Sequence, residues 1–209
     1  MSDHYWVIQA EKKTEIKVKG SRFIGETILV SDAESALSRL GQIRKREHSA
    51  THHCWAYRYG LDKSEESRYS DDGEPSGTAG KPIADAISGH GVTNCLVVVT
   101  RYFGGTQLGT GGLARAYAEC ARDVLIQSGK IERFVLSRVA VTVDVSFYDP
   151  ISRLAGKIGA KQISADFSET VAIVYELRQS LAQSFIAAIT DTTSGRAIAT
   201  ELQEGIPDA

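Results

Sequence analysis

Three short segments of this 209-residue chain hold residue types whose spacing invites chemistry. The first, Ser70-Asp71-Asp72-Gly73-Glu74-Pro75-Ser76-Gly77-Thr78-Ala79-Gly80-Lys81-Pro82, places Asp71, Asp72 and Glu74 ahead of hydroxyls and Lys81. Three carboxylates so close repel one another unless paired, so the cluster is expected to raise one carboxylate pKa or to attract a cation. In the second, a buried strand ending in Arg101, Tyr102 and Phe103 runs into Gly104 and Gly105, then through Gly109, Thr110, Gly111 and Gly112 into an amphipathic helix bearing Arg115. N–H groups at a helix start, reinforced by the helix dipole, form an anion site that glycine leaves open to close approach. The third, Thr51-His52-His53-Cys54-Trp55, sets two adjacent histidines in a strand, where they face opposite sides.

Each segment also has a plainer reading. The first is an ordered turn-rich loop, the second a tight strand–helix packing device, the third one internally bonded histidine and one at the surface. Some chemistries are excluded outright. Gly77 to Lys81 lacks the GxxxxGK(S/T) spacing and has Pro82 where a P-loop needs a hydroxyl. Gly109-x-Gly111 is followed by Ala114 instead of the third glycine of a dinucleotide fingerprint. No helical HxxxH, HExxH or CxxC spacing occurs, so neither a metal nor a cofactor is expected. Cys54 beside His52 and His53 is the one candidate nucleophile, and side-chain alternation along a strand argues against that pairing.

Composition narrows the field further. The 24 Lys and Arg against 26 Asp and Glu give a net charge of −2, so a strongly basic nucleic-acid binder is excluded and any such partner must meet a local patch. Residues 1–130 carry 17 basic and 16 acidic side chains, and residues 131–209 carry 7 and 10, which leaves the motif-bearing half the more basic one. The sequence holds no DNA-specific motif. Its longest purely apolar run, Cys95–Val99, is too short to span a bilayer, and the N-terminus lacks the basic-then-apolar pattern of a secretory signal. Three widely spaced cysteines fit a reducing cytoplasm.

Periodicity supplies the scaffold, which is read as α+β. In the first half it predicts strands at Glu15–Val18, Phe23–Val30, His53–Tyr59, Arg68–Ser70 and Cys95–Tyr102. Helices are predicted from Asp32 or Ala33 to Arg46, at Pro82–Ser88 and from Gly112 to Gln127. In the second half, Val139 to Phe147 alternates as a strand, and Asp149-Pro150 reads as an N-cap with proline at the first helical position. Strands at Ile163–Phe167 and Val171–Leu177, a helix capped by Ser180 and a segment Arg196–Leu202 complete a β-α-β-β-α-β order, the ferredoxin-like pattern. A domain boundary is placed near Lys130–Glu132, giving domains 1–130 and 131–209.

The two glycine-rich segments, together with Ser21-Arg22-Phe23-Ile24, His52-His53-Cys54 and Ala56-Tyr57, closely resemble the IMPACT family. The likeness is dense over the first ~130 residues and extends to the rest by size and element order. It implies an N-terminal domain like domain 2 of ribosomal protein S5 and a ferredoxin-like C-terminal domain, together similar to domains IV and V of the translocation factor EF-G. It also implies a cytosolic protein acting near RNA or the ribosome, which is read here as a regulator of translation and a binding module more than an enzyme. The alternative built from the residues is an enzyme acting on a phosphate-containing small molecule. Its Gly104–Gly112 turn would cradle the anion, Arg101 and Lys81 would supply charge, and Asp71, Asp72 or Glu74 would serve as base or hold Mg²⁺. In either reading His53 and Arg101 are expected to join the carboxylate loop, with Tyr102 offering a stacking surface.

Overall fold

A computed structural model describes residues 3–202. The chain begins with strand β1 (His4–Ile8), followed by the hairpin of β2 (Lys13–Val18) and β3 (Ser21–Leu29). Lys19 and Gly20 both have positive φ, at 45° and 84°, the backbone of a two-residue hairpin turn whose twist suits paired strands. Helix α1 (Ala33–Arg46) is capped by Asp32, which accepts from the Ser35 amide at 2.7 Å, and ends in Arg44, Lys45 and Arg46. Strands β4 (His52–Tyr59) and β5 (Glu66–Ser70), helix α2 (Gly80–His90), strand β6 (Cys95–Tyr102) and helix α3 (Gly109–Ser128) follow.

These elements build a five-stranded antiparallel sheet in the order β2-β3-β6-β4-β5. The apolar run at the head of β6 lies at its centre and is buried on both faces. Its odd positions Cys95, Val97 and Val99 pack with residues of α2 and α3, including Ile83, Ile87 and Tyr117. Its even positions Leu96 and Val98 pack with Ala36, Leu40 and Ile43 of α1. One helix on one face and two on the other therefore explain why this strand reads as a continuous apolar run without alternation.

From β7 (Lys130–Phe134) the chain enters β8 (Leu136–Asp144), α4 (Tyr148–Lys157), β9 (Lys161–Phe167), β10 (Thr170–Arg178), α5 (Gln179–Thr192) and β11 (Ile198–Leu202). The last four strands form an antiparallel sheet in the order β11-β8-β10-β9. Val139, Val141 and Val143 of β8 and Ile173 and Tyr175 of β10 point to one side, where they meet Ile151 of α4 and Phe185 of α5. Contacts divide the described residues into two units, Trp6–Arg133 on the one hand and residues 3–5 with 134–202 on the other. β1 and β7, neither of which is predicted from periodicity, pair as a separate two-stranded sheet.

Several predicted boundaries move, each for a local reason. The alternation expected to reach Phe147 stops at Asp144, whose carboxylate accepts from the amide and hydroxyl of Ser146 at 2.8 and 2.6 Å and turns the chain into a 3₁₀ turn at Val145–Phe147. Asp149 is therefore inside α4 and not its cap, and Pro150 is its third residue, still within the first turn where an N–H has no partner to lose. Ser180 likewise sits inside α5 and donates its hydroxyl to Asp3 instead of capping. Helices α2 and α3 begin earlier than predicted, at Gly80 and Gly109.

A side chain at position 104 has no room. A Cβ built on Gly104 would lie 1.9 Å from the carbonyl carbon of Gly20, whereas one built on Gly41, inside α1, meets nothing within 4 Å. Gly104→Ala is expected to cost on the order of 2–4 kcal/mol by forcing the hairpin turn and the loop apart. Gly41→Ala should instead gain about 0.5–1 kcal/mol from helix propensity. Urea unfolding of the two variants checks both signs.

Candidate functional site

The loop between β5 and α2 carries the three carboxylates, and it spends each differently. Asp71 accepts from the backbone amides of Gly77, Ala79 and Gly80 at 2.8, 2.9 and 2.8 Å, so it caps α2 from a distance in sequence. Burial alone would push its pKa up, but the donated amides of Gly77, Gly80 and Ala79 outweigh it and hold the carboxyl below its ordinary value. Asp72, at φ 45°, accepts from Arg44 of α1 and from the backbone amide of His53 at 2.7 Å. Glu74 is buried and receives a hydrogen bond from Arg101 at 2.6 Å and one from the Tyr117 hydroxyl at 2.8 Å on the same oxygen. Of the two outcomes expected of the cluster, the structure shows the attraction of cations: Asp72 and Glu74 each pair with a guanidinium of the chain itself, Arg44 and Arg101. Among the described residues no group of His, Cys, Asp and Glu is arranged to hold a metal ion.

Glu74 and Arg101 form the centre of the site. Their side chains are 4% and 6% exposed, so the pair is desolvated and each charge depends on the other. Arg101 also donates to the Ser21 hydroxyl at 3.3 Å and lies over the rings of Phe23 and Phe103 at 5.4 and 5.5 Å. Ser21 in turn accepts from the Gly104 amide at 3.2 Å, which ties the glycine-rich loop to the same cluster. Tyr117 packs edge-on against Phe23 at 5.2 Å, and burial drives its hydroxyl pKa upward, so it remains a donor. Cys54 donates to the Asp71 carbonyl at 3.0 Å, and burial pushes its thiol far above the ordinary value. A thiol held protonated is not a nucleophile at neutral pH.

The histidines divide as strand geometry requires. His52 lies on the Glu74 side, with Nδ1 2.8 Å from the Asp72 carbonyl and Nε2 3.9 Å from Glu74. His53 is buried beside Asp72, its Nδ1 4.0 Å from that carboxylate, and its Nε2 has no partner among the described residues. Burial lowers the pKa of His53 more than the Asp72 charge raises it, so the ring is neutral at pH 7. The structure thus brings Arg101 to Glu74 and His53 to Asp72 but does not join the two pairs in one constellation. Lys81 points away from both and pairs with Asp85 at 2.9 Å, one helical turn on.

The second glycine segment is mostly exposed from Phe103 to Gly111. Gly105 and Gly109 have φ of 84° and 70°, and a Cβ at either would meet nothing within 4 Å. Leu108 precedes α3 without a side-chain cap, so the amides of Gly109, Thr110 and Gly111 have neither an intrahelical nor a capping partner. Arg115 folds back along the helix, its Nη1 3.5 Å from where a Gly111 Cβ would stand. Phe103 is 50% exposed, and the Arg22 guanidinium lies 4.4 Å from the centroid of the Tyr102 ring. Tyr102 also donates to Glu47 at 2.8 Å, and Glu47 accepts from Lys13 at 2.9 Å.

Sequence reading misses Ser21, His52, Cys54 and Tyr117 as members of the cluster. Tyr117 carries a usable signal, since it lies on the apolar face of α3 and a buried phenol needs a partner. Ser21, His52 and Cys54 fall in segments the sequence singles out, but nothing local ties them to Glu74 or Arg101.

The profile of the Impact N-terminal domain matches residues 19–125, and that of a domain of unknown function (DUF1949) matches residues 141–196. The chain is 33% identical to the IMPACT family member YigZ of Escherichia coli, across 91% of this chain and 94% of that one. It is 30% identical to the IMPACT family member YvyE of Bacillus subtilis, across 98% and 93%. A crystal structure titled as that of a hypothetical protein superposes with a TM-score of 0.70 at 30% identity, covering 98% of this chain and all of the other.

Two variants test the geometry. Glu74→Gln strands the buried Arg101 charge and is expected to cost about 3–5 kcal/mol in urea unfolding, while the double change with Arg101→Met should recover much of that loss. Glu47 has its carboxyl pulled down from 4.5 to about 2, first by the hydrogen bond from Lys13, against burial, and further by Tyr102 and Arg46. Its folded pKa is depressed, so its contribution is complete above pH 4.5 and is lost as pH falls toward 2. The stability difference between wild type and Glu47→Gln should shrink over that window.

Proposed function

The chain belongs to the IMPACT family, and we propose that it is a cytoplasmic RNA- or ribosome-associated regulator of translation, not an enzyme. The observation that carries this reading is the set of exposed aromatic, cationic and amide groups around the glycine-rich loop. Phe103 offers an exposed ring, Arg22 lies on Tyr102, and the amides at the start of α3 are open. Arg115 has no ion pair among the described residues. Exposed aromatic and guanidinium planes stack on unpaired bases, while cations and helix-start amides take phosphates. The buried Glu74–Arg101 pair holds the root of that loop in place.

Fold type supports the same reading. We take residues 1–130 as a domain like domain 2 of ribosomal protein S5 and residues 131–209 as a ferredoxin-like domain, similar in kind to domains IV and V of EF-G. The sheet order β11-β8-β10-β9 is the order that a split βαβ pattern generates. Likeness of fold is associational support, and the site must carry the function. The alternative, an enzyme for a phosphate-containing ligand, keeps the glycine-rich turn. The carboxylates it would use as base are all engaged, Asp71 by backbone amides, Asp72 by the His53 amide and Glu74 by Arg101.

The test is co-sedimentation of the full chain with ribosomes, and fluorescence anisotropy with a labelled single-stranded RNA. Binding is expected at about 50 mM salt and should weaken strongly by about 200 mM. Phe103→Ala and Arg22→Ala should each weaken it by roughly fivefold to a hundredfold, the worth of one stacked base. Absence of binding at low salt, or binding indifferent to both salt and substitution, overturns the proposal.

A further inference from the structure

Helices α2 and α3 lie side by side over one face of the sheet, and their outward crease encloses about 580 Å³. They run in the same direction, since Lys130, just past the end of α3, donates to the carbonyl of His90 at the end of α2. The crease exists because the residues that meet there are small. Ala86 and Gly89 of α2 face Ala114 and Ala118 of α3, and side chains this short cannot fill the groove between two helices. Leu125 and Ile126 close the far end, with Ile126 68% exposed.

The charges along the crease are not balanced. Arg115 and Arg122 stand seven residues apart on α3, which is two turns or about 10 Å along one edge. Neither has an ion pair among the described residues, although Glu119 and Asp123 are on the same helix. On the opposite wall Asp85 is already held by both of its oxygens on Lys81 at 2.9 Å. His90 brings a ring whose Nε2 is buried without a hydrogen-bond partner among the described residues.

We propose that this crease is the binding site of a small organic acid, an elongated apolar body carrying one carboxylate. The apolar part would cover the alanines and Leu125, and the carboxylate would pair with Arg122 or Arg115. The volume lies in the range of small-molecule sites, and the distance from Ala114 to Ile126, about 18 Å along the helix, suits an extended chain better than a compact ring. The site is separate from the exposed loop assigned to RNA. Arg115 borders both, so Arg122 and Ala118 are the positions that tell them apart.

The experiment titrates the full chain with sodium decanoate below its micelle concentration and follows backbone amide shifts by NMR. Saturable one-to-one binding with shifts centred on α2 and α3 is expected. Acetate, which lacks the apolar body, and decyltrimethylammonium, which reverses the charge, should each bind about tenfold or more weakly. Arg122→Gln, a surface change, should weaken decanoate about tenfold, and Ala118→Trp should fill the crease and remove binding. Both variants should keep their affinity for RNA, so a failed loop assignment and a failed crease assignment give different results. The proposal is overturned if decanoate does not saturate, if the cationic chain binds as well, or if Arg122→Gln leaves the affinity unchanged.

Discussion

The carboxylate of Glu74 accepts from Arg101 on the central strand and from Tyr117 on α3, and much of the amino-terminal unit is arranged around the need to keep that charge satisfied. A carboxylate taken so far out of water is costly, and only a partner in close geometry offsets it. Arg101 can serve because β6 is the middle strand and carries it to the inner face. Its remaining donors then select what lies near. Ser21 at the start of β3 takes one, and two aromatic rings cover the guanidinium. Residues 21, 74, 101 and 117 are far apart in the chain, so the cluster binds the first hairpin, the carboxylate loop, the sheet centre and α3 into one cooperative unit.

The glycine-rich segments divide along the same line. Some positions are glycine because another backbone passes too close, as at Gly104 against the hairpin turn and Gly80 against Ser70. Others face open space and close onto nothing, as at Gly105 and Gly109. The first kind fixes where the loop is rooted, and the second kind leaves its tip available. A rigid root with an open tip is the usual division of labour between scaffold and binding loop.

What the sequence reveals depends on whether the signal is local. The run Cys95–Val99 announces a buried strand, and Asp32 ahead of an apolar-periodic stretch announces a helix start, because each pattern is complete within a few residues. β7 escapes notice because nearly all its side chains are solvated, so no alternation marks it. The cap of α2 escapes because the capping carboxylate, Asp71, stands nine residues ahead of Gly80, outside the window in which caps are sought. The carboxylate loop is visible as unusual, yet its chemistry inverts on folding, since the repulsion read from the sequence is removed by donors from α1, β6 and α3. His52 and Tyr117 are invisible as partners for the same reason. Only the third dimension brings them to Glu74.

The first few residues belong to the unit that is completed last. The carbonyl of Asp3 accepts from the amide of Val135 at 2.7 Å, and its side chain accepts from Ser180. During synthesis Asp3 therefore waits for partners made roughly 130 and 180 residues later, on the order of ten seconds at ordinary elongation rates. The long stretch between can close its own sheet meanwhile, so the order of assembly runs from the middle outward. On a ribosome-bound nascent chain β1 would stay unpaired until β7 emerges, and Asp3 would lack its Ser180 partner until α5 follows.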